Sequence, residues 1–526
     1  MKRYIISILI STLLILPVVY SQSEKEVVGR IIEIAKSDNQ TMHHLDILTN
    51  RIGGRLVGSD AYSNATWWAA SLFKKWGLEV QVIEVGEMGV GFNRGPWSGR
   101  MLSEDGMVLH FATPSYTSGT KGVQRGHVVM EPKNRAEFER MKGKLKGAWV
   151  LISGRNDGYP IDISEYADTI RSQVIKENDI IGRYNDSVAR VNMFNPHKEP
   201  IPFKEYKDSP ALFYKEMREA GILGIIQSAE LPIKAMYDRK NAEYMDFEHL
   251  PTCPDIKLDE HQYKIIEQKA KERQYFQLEF NICNHFKPGP VKYHNVIGII
   301  RGTEFPDEYV MSGGHLDSYD VATGGVDCGT GVAPNLEAAR LIMAAGGKPK
   351  RSILFCLWAG EEFGLLGSKH WVENNGDKLE KISNYFNRDG GPTVANSLTV
   401  PPAMYEDFKV ATEDLDRINP DFPFKLNIRT EARPKPVVPA GSDHAYFALN
   451  GVPTISFGTS DPKGYDFNYN EIWHTERDHY NMSIPEYMDH TSVVMAIVYY
   501  KLANMDSPLS RKDLYKEPEQ KREKKR

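Results

Sequence analysis

The clearest hydrophobic pattern in the chain is a series of short apolar runs that end in glycine, histidine or acidic residues. Three of them follow one another in the second half of the sequence, at Tyr309–Met311, Ser352–Ala359 and Tyr385–Phe386. Apolar runs of this length, bounded by glycine, predict buried strands. Between the first two, residues 336–343 repeat apolar side chains at helical spacing after a glycine-rich turn. This alternation predicts an α/β fold with a mainly parallel sheet.

The first half of the chain predicts a second, different unit. Apolar faces at helical spacing run through residues 24–77, with a turn-rich break at 51–59, and a strand-like run follows at 78–85. From 119 to 287, strand-like runs alternate with short helical patterns, and we interpret this region as a β-rich insert that covers or shapes a site. The polar stretch 155–207 is long for a loop, which predicts that it is partly helical or forms a lid.

The composition and the two terminal segments indicate which partners and which location to expect. The chain has 526 residues, 41% of them apolar and 26% charged, with a formal net charge of −5. This length allows more than one core, and the charge balance does not favour nucleic acid as a partner. Residues 1–21 place Lys2 and Arg3 before an apolar run shorter than a membrane span, which predicts a cleaved secretory signal, a secreted or periplasmic protein and no stable membrane anchor. The last residues are mostly charged and predict a solvated tail.

The first candidate metal-binding residues lie at and after the end of the first of the three strands. His315 and Asp317 follow that strand, and Asp327 lies in the glycine-rich turn before the helix. An imidazole and two carboxylates brought together are costly unless a cation holds them; imidazole with carboxylate suits zinc, and a carboxylate can bridge two ions. A His-x-Asp pair alone is more often a solvated loop, so this interpretation depends on the rest of the chain.

The other two strand ends supply more carboxylates. Glu361 and Glu362 follow the second strand, and Asp389 follows the third. Adjacent glutamates at a strand-to-helix junction point in different directions, so one can bind a metal while the other reaches a water molecule that the metal activates. A hydrolase needs this division of labour, because a carboxylate must take the proton of the attacking water.

A second histidine ligand is expected near the segment Trp473-His474-Thr475-Glu476-Arg477-Asp478-His479. His474 is preferred because Thr475 and Asp478 could orient its ring, as a histidine ligand usually hands its other nitrogen to such a partner. His479 and His444 remain alternatives at this point.

The order of these motifs resembles the co-catalytic dizinc exopeptidases of the aminopeptidase Y type, and within them the carboxypeptidase Q (plasma glutamate carboxypeptidase) subfamily. The motifs are GHLDSYD, GVDCGTG, AGEEFGLLGS, an aspartate after a strand, and WHTERD. RIGGRLVGSDA near the start and the run that begins HNVIGIIRGTEF extend the likeness over most of the chain. The resemblance implies the zinc-exopeptidase fold, a mixed, mainly parallel sheet flanked by helices, with the insert as a protease-associated domain.

The resemblance also implies a ligand set for two zinc ions: His315, Asp327, Glu362, Asp389 and His474. In that set Asp327 bridges the ions, Glu361 is the general base and Asp317 orients His315. Two departures stand out, since Cys328 occupies a position that is usually aspartate and the sequence around Asp389 lacks the usual acidic pair.

The function predicted from all this is hydrolysis of the N-terminal peptide bond of peptides or dipeptides, by water activated between two zinc ions. The resemblance adds an expected homodimer. Alternatives are a glutaminyl cyclase on the same scaffold and a non-catalytic binding protein. The predicted organisation comprises a signal peptide, a first catalytic part, the insert, a second catalytic part and a charged tail: 1–21, 24–118, 119–287, 288–508 and 509–526.

Overall fold

The computed structural model describes residues 23–103, 106–154, 156–243 and 245–516. The predicted signal peptide, residues 1–21, lies outside the described residues, as do the last ten positions of the predicted tail. Within the described ranges, no helix combines the length and the apolar character needed to span a membrane.

The described chain begins with three helices and a long strand, which are α1 (Glu24–Ser37), α2 (Thr41–Asp46), α3 (Asp60–Lys75) and β1 (Glu79–Asn93). Helix α1 starts in a capping box: the Ser23 side chain accepts the Glu26 N–H, and the Glu26 carboxylate accepts the Ser23 N–H. One face of the helix is then buried through Val27, Val28, Ile31 and Ile32.

A separate seven-stranded sheet forms the insert. Its strands are β2 (Trp97–Leu102), β3 (Phe111–Ala112), β4 (Gln124–Met130), β5 (Ala148–Leu151), β6 (Gly224–Ala229), β7 (Asp255–Asp259) and β8 (Gln277–Ile282), in the order β2-β8-β4-β5-β6-β7-β3. Its helices are α4 (Arg135–Leu145), α5 (Glu165–Phe194), α6 (Tyr214–Glu219), α7 (Arg239–Glu243) and α8 (Glu260–Lys271).

The insert sheet extends further toward the N-terminus than the predicted boundary at residue 119. Strands β2 and β3 precede that boundary and pair antiparallel with β8 and β7, which lie more than a hundred residues later. Such long-range pairing leaves no local pattern in the sequence. The polar stretch 155–207 is partly helical, as expected, because it contains the 30-residue helix α5.

The second catalytic part contains the remaining strands, β9 (His285–Ile300), β10 (Phe305–His315), β11 (Arg351–Trp358), β12 (Ile382–Asn387), β13 (Val394–Val400), β14 (Lys425–Ile428), β15 (Arg433–Pro434), β16 (Gly458–Ser460) and β17 (Tyr515–Lys516). Its helices are α9 (Gly329–Ala344), α10 (Leu366–Asn374), α11 (Tyr405–Thr412), α12 (His444–Leu449) and α13 (Pro485–Asn504). The central sheet has the order β1-β9-β11-β10-β12, with β10, β11 and β12 parallel. The predicted α/β fold with a mixed sheet is therefore confirmed. The sheet is not mainly parallel, in contrast to the expectation, because β9 pairs antiparallel with both β1 and β11.

Helices cover the central sheet on both faces. One apolar core joins α1, α3, α9 and α13 to the sheet, and a second joins α10 and α12 to its other face. Helix α9 is buried along almost its whole length. Pro334 lies inside the helix, beyond its first turn, and the Thr330 carbonyl that its missing N–H leaves free accepts instead from the Arg388 guanidinium. A three-layer arrangement of this kind buries parallel strands on both sides and leaves their ends free for chemistry.

The C-terminal segment is packed further than predicted. Leu509 and Leu514 are buried, and β17 pairs in parallel with β15. The prediction of a solvated tail from residue 509 onward is therefore wrong up to Lys516. The prediction was based on the charged composition of the segment and did not take into account the two leucines that pack it against the fold.

Candidate metal centre

The ends of three parallel strands bring the candidate ligands together. Strand β10 lies between β11 and β12, with His315 opposite Trp358 on one side and Gly313 opposite Asn387 on the other. The residues that follow β11 and β12 therefore flank His315 from both sides. This register places the two glutamates and Asp389 at the same edge of the sheet as the histidine.

Asp327 lies between two histidines and offers one carboxylate oxygen to each. Its Oδ1 is 3.1 Å from His315 Nε2, and its Oδ2 is 3.4 Å from His474 Nε2. Each histidine also faces a second carboxylate: His315 Nε2 is 3.4 Å from Asp389 Oδ1, and His474 Nε2 is 3.0 Å from Glu362 Oε2. The five predicted ligands thus form two overlapping sets that share Asp327.

The donor atoms of this centre fit a metal ion. Among the described residues, His315 Nε2, Glu362 Oε1 and Asp389 Oδ1 are buried without a hydrogen-bond partner. A buried polar atom without a partner is costly, so several that converge on one place are typical of a site that binds a cation. Imidazole nitrogen with carboxylate oxygen suits zinc, and His315, Asp327 and Glu362 offer donor atoms within 4.8 Å of one another.

The shifted pKa values of the acidic residues in the centre also favour a bound cation. Burial, reinforced by repulsion from neighbouring carboxylates, raises the pKa of Glu361 to about 11 and that of Glu362 to about 7. Burial acts to lower the pKa of His474, but attraction by Glu362 and Asp327 outweighs it and raises the value to about 9. The raised pKa values show that these buried carboxyl groups lie too close together to be ionised without a compensating positive charge. Divalent cations bound between them would supply that charge and restore the ionised forms.

Asp317 supports both His315 and the glutamate pair. Its backbone carbonyl accepts a hydrogen bond from His315 Nδ1 at 3.0 Å, whereas its carboxylate lies 3.7 Å from that nitrogen. The carboxylate instead accepts the backbone N–H groups of Glu361 and Glu362, at 3.1 and 3.2 Å. Asp317 therefore fixes the ring of His315, which exposes Nε2 to the centre, and fixes the turn that carries the glutamates.

His474 occupies a strained backbone position. Its φ is +59°, in the left-handed region that is unfavourable for residues other than glycine. Its ring is held between Trp473, at 4.0 Å between ring centroids, and Tyr319, at 4.5 Å. The alternative ligand His479 lies elsewhere, with Nδ1 3.2 Å from the Thr323 hydroxyl.

His444, the other alternative, is the first residue of helix α12, whereas His474 Nε2 lies 3.0 Å from Glu362 Oε2 and 3.4 Å from Asp327 Oδ2. His474 as the second histidine ligand stays a prediction, and its contacts with Glu362 and Asp327 are the observations behind it.

Asp478 has a different role from the one predicted. It was expected to orient His474, but His474 Nδ1 has no hydrogen-bond partner among the described residues. The Asp478 carboxylate accepts the backbone N–H groups of Val326, at 2.6 Å, and of Asp327, at 3.3 Å. It thereby holds the backbone of Asp327.

Thr475, the other expected partner of His474, bonds to backbone carbonyls of its own turn, those of Glu471 and Ile472, each at 3.0 Å. The prediction that Thr475 and Asp478 orient the histidine is therefore wrong.

Arg55 is a supporting residue that the sequence did not reveal. It is fully buried, and its guanidinium donates to the carbonyls of Leu316, Thr323 and Gly324 at 2.7, 2.8 and 3.0 Å. These carbonyls belong to the loop between His315 and Asp327. The only sequence signal is the turn-rich motif that contains Arg55, and it lies more than two hundred residues away.

Cys328, the residue after Asp327, contacts the loop that carries Asp389. Its thiol donates to the carbonyl of Arg388 at 3.3 Å, and burial raises its pKa to about 12. The Arg388 guanidinium in turn donates to the carbonyl of Thr330, at 3.2 Å, in the first turn of α9. The departure from the usual aspartate is therefore accommodated as a neutral buried thiol.

The insert contacts the catalytic part next to His474. The backbone of Ile233 accepts from the Glu476 N–H at 2.9 Å, and its own N–H donates to the Glu476 carboxylate at 3.1 Å. The Lys234 ammonium lies 4.7 Å above the Trp473 ring. A cavity of about 250 Å³ opens at this junction, lined from the insert by Asn156, Asp157 and Lys234 and from the catalytic part by Asn470 and Thr475.

Comparison with known proteins finds a family model that matches the part of the chain carrying this centre. Residues 295–498 match the model of peptidase family M28, and this range contains all five candidate ligands. Carboxypeptidase Q of Xenopus laevis is 22% identical over 500 residues, which are 93% of this chain and 92% of that protein. Probable glutamate carboxypeptidase VP8 of Zea mays is 44% identical over 102 residues, 19% of this chain.

The match with some relatives is partial. The chain spans 14% of the length of the Zea mays protein and 32% of that of probable glutamate carboxypeptidase LAMP1 of Arabidopsis thaliana, which is 32% identical over 231 residues, 40% of this chain. Among solved structures, a peptidase M28 precursor from Shewanella amazonensis shares the fold, with a TM-score of 0.55 and 20% identity over 93% of this chain and 98% of that one.

Proposed function

We propose that the chain is an exported zinc exopeptidase that binds two ions and hydrolyses the N-terminal peptide bond of peptides or dipeptides. The observation that carries this proposal is the position of Asp327, which offers one oxygen to each of two histidines, at 3.1 and 3.4 Å. A carboxylate shared in this way is the ligand that a pair of ions requires.

Two metal sites follow from the same geometry. His315 and Asp389 would hold one ion with Asp327, and Glu362 and His474 would hold the other. When bound, the ions would lower the pKa of a water molecule toward about 7 and stabilise negative charge on the substrate carbonyl.

Glu361 is the proposed general base. It adjoins the ligand Glu362, and its backbone is fixed through the Asp317 carboxylate. Its carboxylate takes the proton of the attacking water and delivers it to the leaving amine, so that a neutral amine departs. Charge from the ions would lower the pKa of Glu361 from its raised value and supply the ionised form that a base requires.

The negative charge of the centre is our reason for expecting cleavage at the N-terminal bond of the substrate. The carboxylates around His315 and His474 favour a positively charged α-amino group and disfavour an internal peptide segment. The insert, which we propose is a protease-associated domain, limits access at the His474 side through residues 231–237. Export rests on the composition of residues 1–21.

The test is a hydrolysis panel run on the purified chain with its metal content measured alongside. The panel contains unblocked dipeptides, the same dipeptides with acetylated N-termini, aminoacyl anilides and a peptide with N-terminal glutamine. We expect release of free amino acids from the unblocked substrates only, loss of activity with a chelator, and recovery with zinc at two ions per chain.

Other outcomes would contradict specific parts of the proposal. Equal cleavage of acetylated substrates would overturn exopeptidase selectivity. Cyclisation of the glutaminyl peptide without cleavage would identify a cyclase instead. A stoichiometry of one ion with full activity would refute the two-ion centre.

A further inference from the structure

Cys328 lies among the metal donors, although the resemblance gives it no place in the ligand set. Its sulfur, a ring nitrogen of His315 and a carboxylate oxygen of Asp389 all lie within 4.8 Å of one another. Among the described residues, one further group of three donors is this compact, and it is formed by His315, Asp327 and Glu362. The thiol therefore belongs to one of the two places where the chain can hold a cation.

The other two donors beside this sulfur are buried atoms without a hydrogen bond. His315 Nε2 and Asp389 Oδ1 lie 3.4 Å apart, and neither has a hydrogen-bond partner among the described residues. The His315 side chain is only 1% exposed, so water does not replace the missing partner easily. Thiol sulfur, imidazole nitrogen and carboxylate oxygen form a donor set that suits zinc.

Two glycines make room for the sulfur next to the centre. A Cβ atom at Gly314, the residue before His315, would lie 3.1 Å from Cys328 Sγ, and a Cβ atom at Gly331 would lie closer still. Both distances are shorter than an ordinary contact between carbon and sulfur, so a side chain at either position would displace the thiol. The backbone around His315 is thus shaped to keep the sulfur beside it.

Positive charge near the sulfur favours a thiolate once a cation is present. Cys328 is the N-cap residue of the 16-residue helix α9, and the partial positive charge of a helix N-terminus stabilises a thiolate. Burial lowers the pKa values of Arg55 and Arg388 to about 10, and the charge of Cys328 is among the interactions that oppose this shift. Both guanidinium groups therefore lie within electrostatic reach of the sulfur.

We propose that Cys328 is a further ligand of the ion that His315, Asp327 and Asp389 hold, so that this ion has four protein ligands and one of them is a thiolate. The inference rests on the two-ion centre of the proposed function. When the ion binds, a bond between sulfur and metal replaces the bond between sulfur and hydrogen. The proton leaves to the solvent, and the hydrogen bond to the Arg388 carbonyl is lost.

A thiolate ligand would make the two metal sites chemically different. The ion between Glu362 and His474 would have nitrogen and oxygen ligands only. Because soft ligands select soft metals, cadmium should prefer the site beside Cys328, whereas manganese should prefer the other site. Four protein ligands are also typical of tightly held zinc, so the ion beside Cys328 should be the last to leave when a chelator is added.

The test adds cobalt to the metal-free full chain and records the absorption spectrum and the number of bound ions. A bond between cobalt and a thiolate gives a strong near-ultraviolet charge-transfer band that nitrogen and oxygen ligands do not give. We expect the band in the unaltered chain and in the control Cys283→Ser, which removes a half-buried thiol of the insert. Cys328→Ser should lose the band and bind one of the two ions at least about tenfold more weakly. Cys328→Asp, which restores the usual residue, should bind two ions without the band.

X-ray absorption at the zinc edge tests the same bond without a variant. We expect one sulfur, at about 2.3 Å from zinc, for every two zinc ions in the unaltered chain. Two bound ions with no charge-transfer band, a band that survives Cys328→Asp, or a zinc spectrum with nitrogen and oxygen only would each overturn the cysteine ligand and leave the proposed hydrolase intact. The band in a chain that hydrolyses no peptide would instead support the ligand and contradict the proposed function.

Discussion

The carboxylate of Asp317 accepts a hydrogen bond from the backbone N–H of Glu361 at 3.1 Å. The same carboxylate holds Glu362, so one buried side chain positions both the proposed base and a proposed metal ligand. Asp317→Asn keeps the shape of the side chain but replaces one acceptor oxygen with a donor. We expect activity to fall by about 10–100-fold, as for other supports of metal ligands. Steady-state rates together with zinc content would measure this, and unchanged values for both would refute the role.

Glu361→Gln separates proton transfer from metal binding. The amide has the same shape but cannot take a proton, so we expect kcat to fall by about 10²–10⁴-fold with two ions still bound. Metal analysis by mass spectrometry and kcat on an aminoacyl anilide are the measurements. A near-normal kcat with full metal content would exclude Glu361 as the base.

Asp327→Asn and Asp389→Asn should differ in how many ions they lose. Asp327 faces both histidines, whereas Asp389 faces only His315. We therefore expect weakened binding of both ions in the first variant and of one ion in the second. Titration with zinc in the presence of a competing chelator would count the sites. Identical losses in the two variants would contradict a shared carboxylate.

His490 should make the fold sensitive to acid. It is buried in α13 against Phe422, neither ring nitrogen has a hydrogen-bond partner among the described residues, and burial lowers its pKa to about 4. The unfolded chain, with a pKa of about 6.5, binds a proton first as pH falls, so stability decreases between about pH 6.5 and 4. The expected loss from this residue is about 2 kcal/mol at pH 5.

Urea unfolding at pH 7 and pH 5 would measure that loss. His490→Gln should have a shallower pH dependence than the unaltered chain, and the exposed His43→Gln serves as the control. Loss of metal at low pH affects all three proteins alike, so the difference between them isolates His490. Equal slopes for His490→Gln and the control would contradict the prediction.

Three of the five candidate ligands could be brought together from the sequence because each follows a local signal. His315, Glu362 and Asp389 come directly after apolar strands, and parallel strands end at one edge of a sheet. Once the sheet order is right, the convergence of these residues follows. The pattern of apolar runs was therefore enough for the fold class and for most of the centre.

The supporting residues could not be predicted because their partners are distant or are backbone groups. Arg55 binds carbonyls more than two hundred residues away, and Asp478 holds the backbone of Asp327 instead of the neighbouring His474. The early start of the insert sheet at Trp97 has the same cause, since β2 pairs with β8 near its far end. Composition also misled at the C-terminus, where Leu514 packs within a charged segment.

The paired hydrogen bonds between Ile233 and Glu476 make the position of the insert depend on the loop that carries His474. Any change in the position of this loop on metal binding would therefore be felt at the junction between the two sheets, and a coupling between the two places would act equally in both directions. Changes on the surface of the insert near Lys234 would alter metal affinity without touching a ligand.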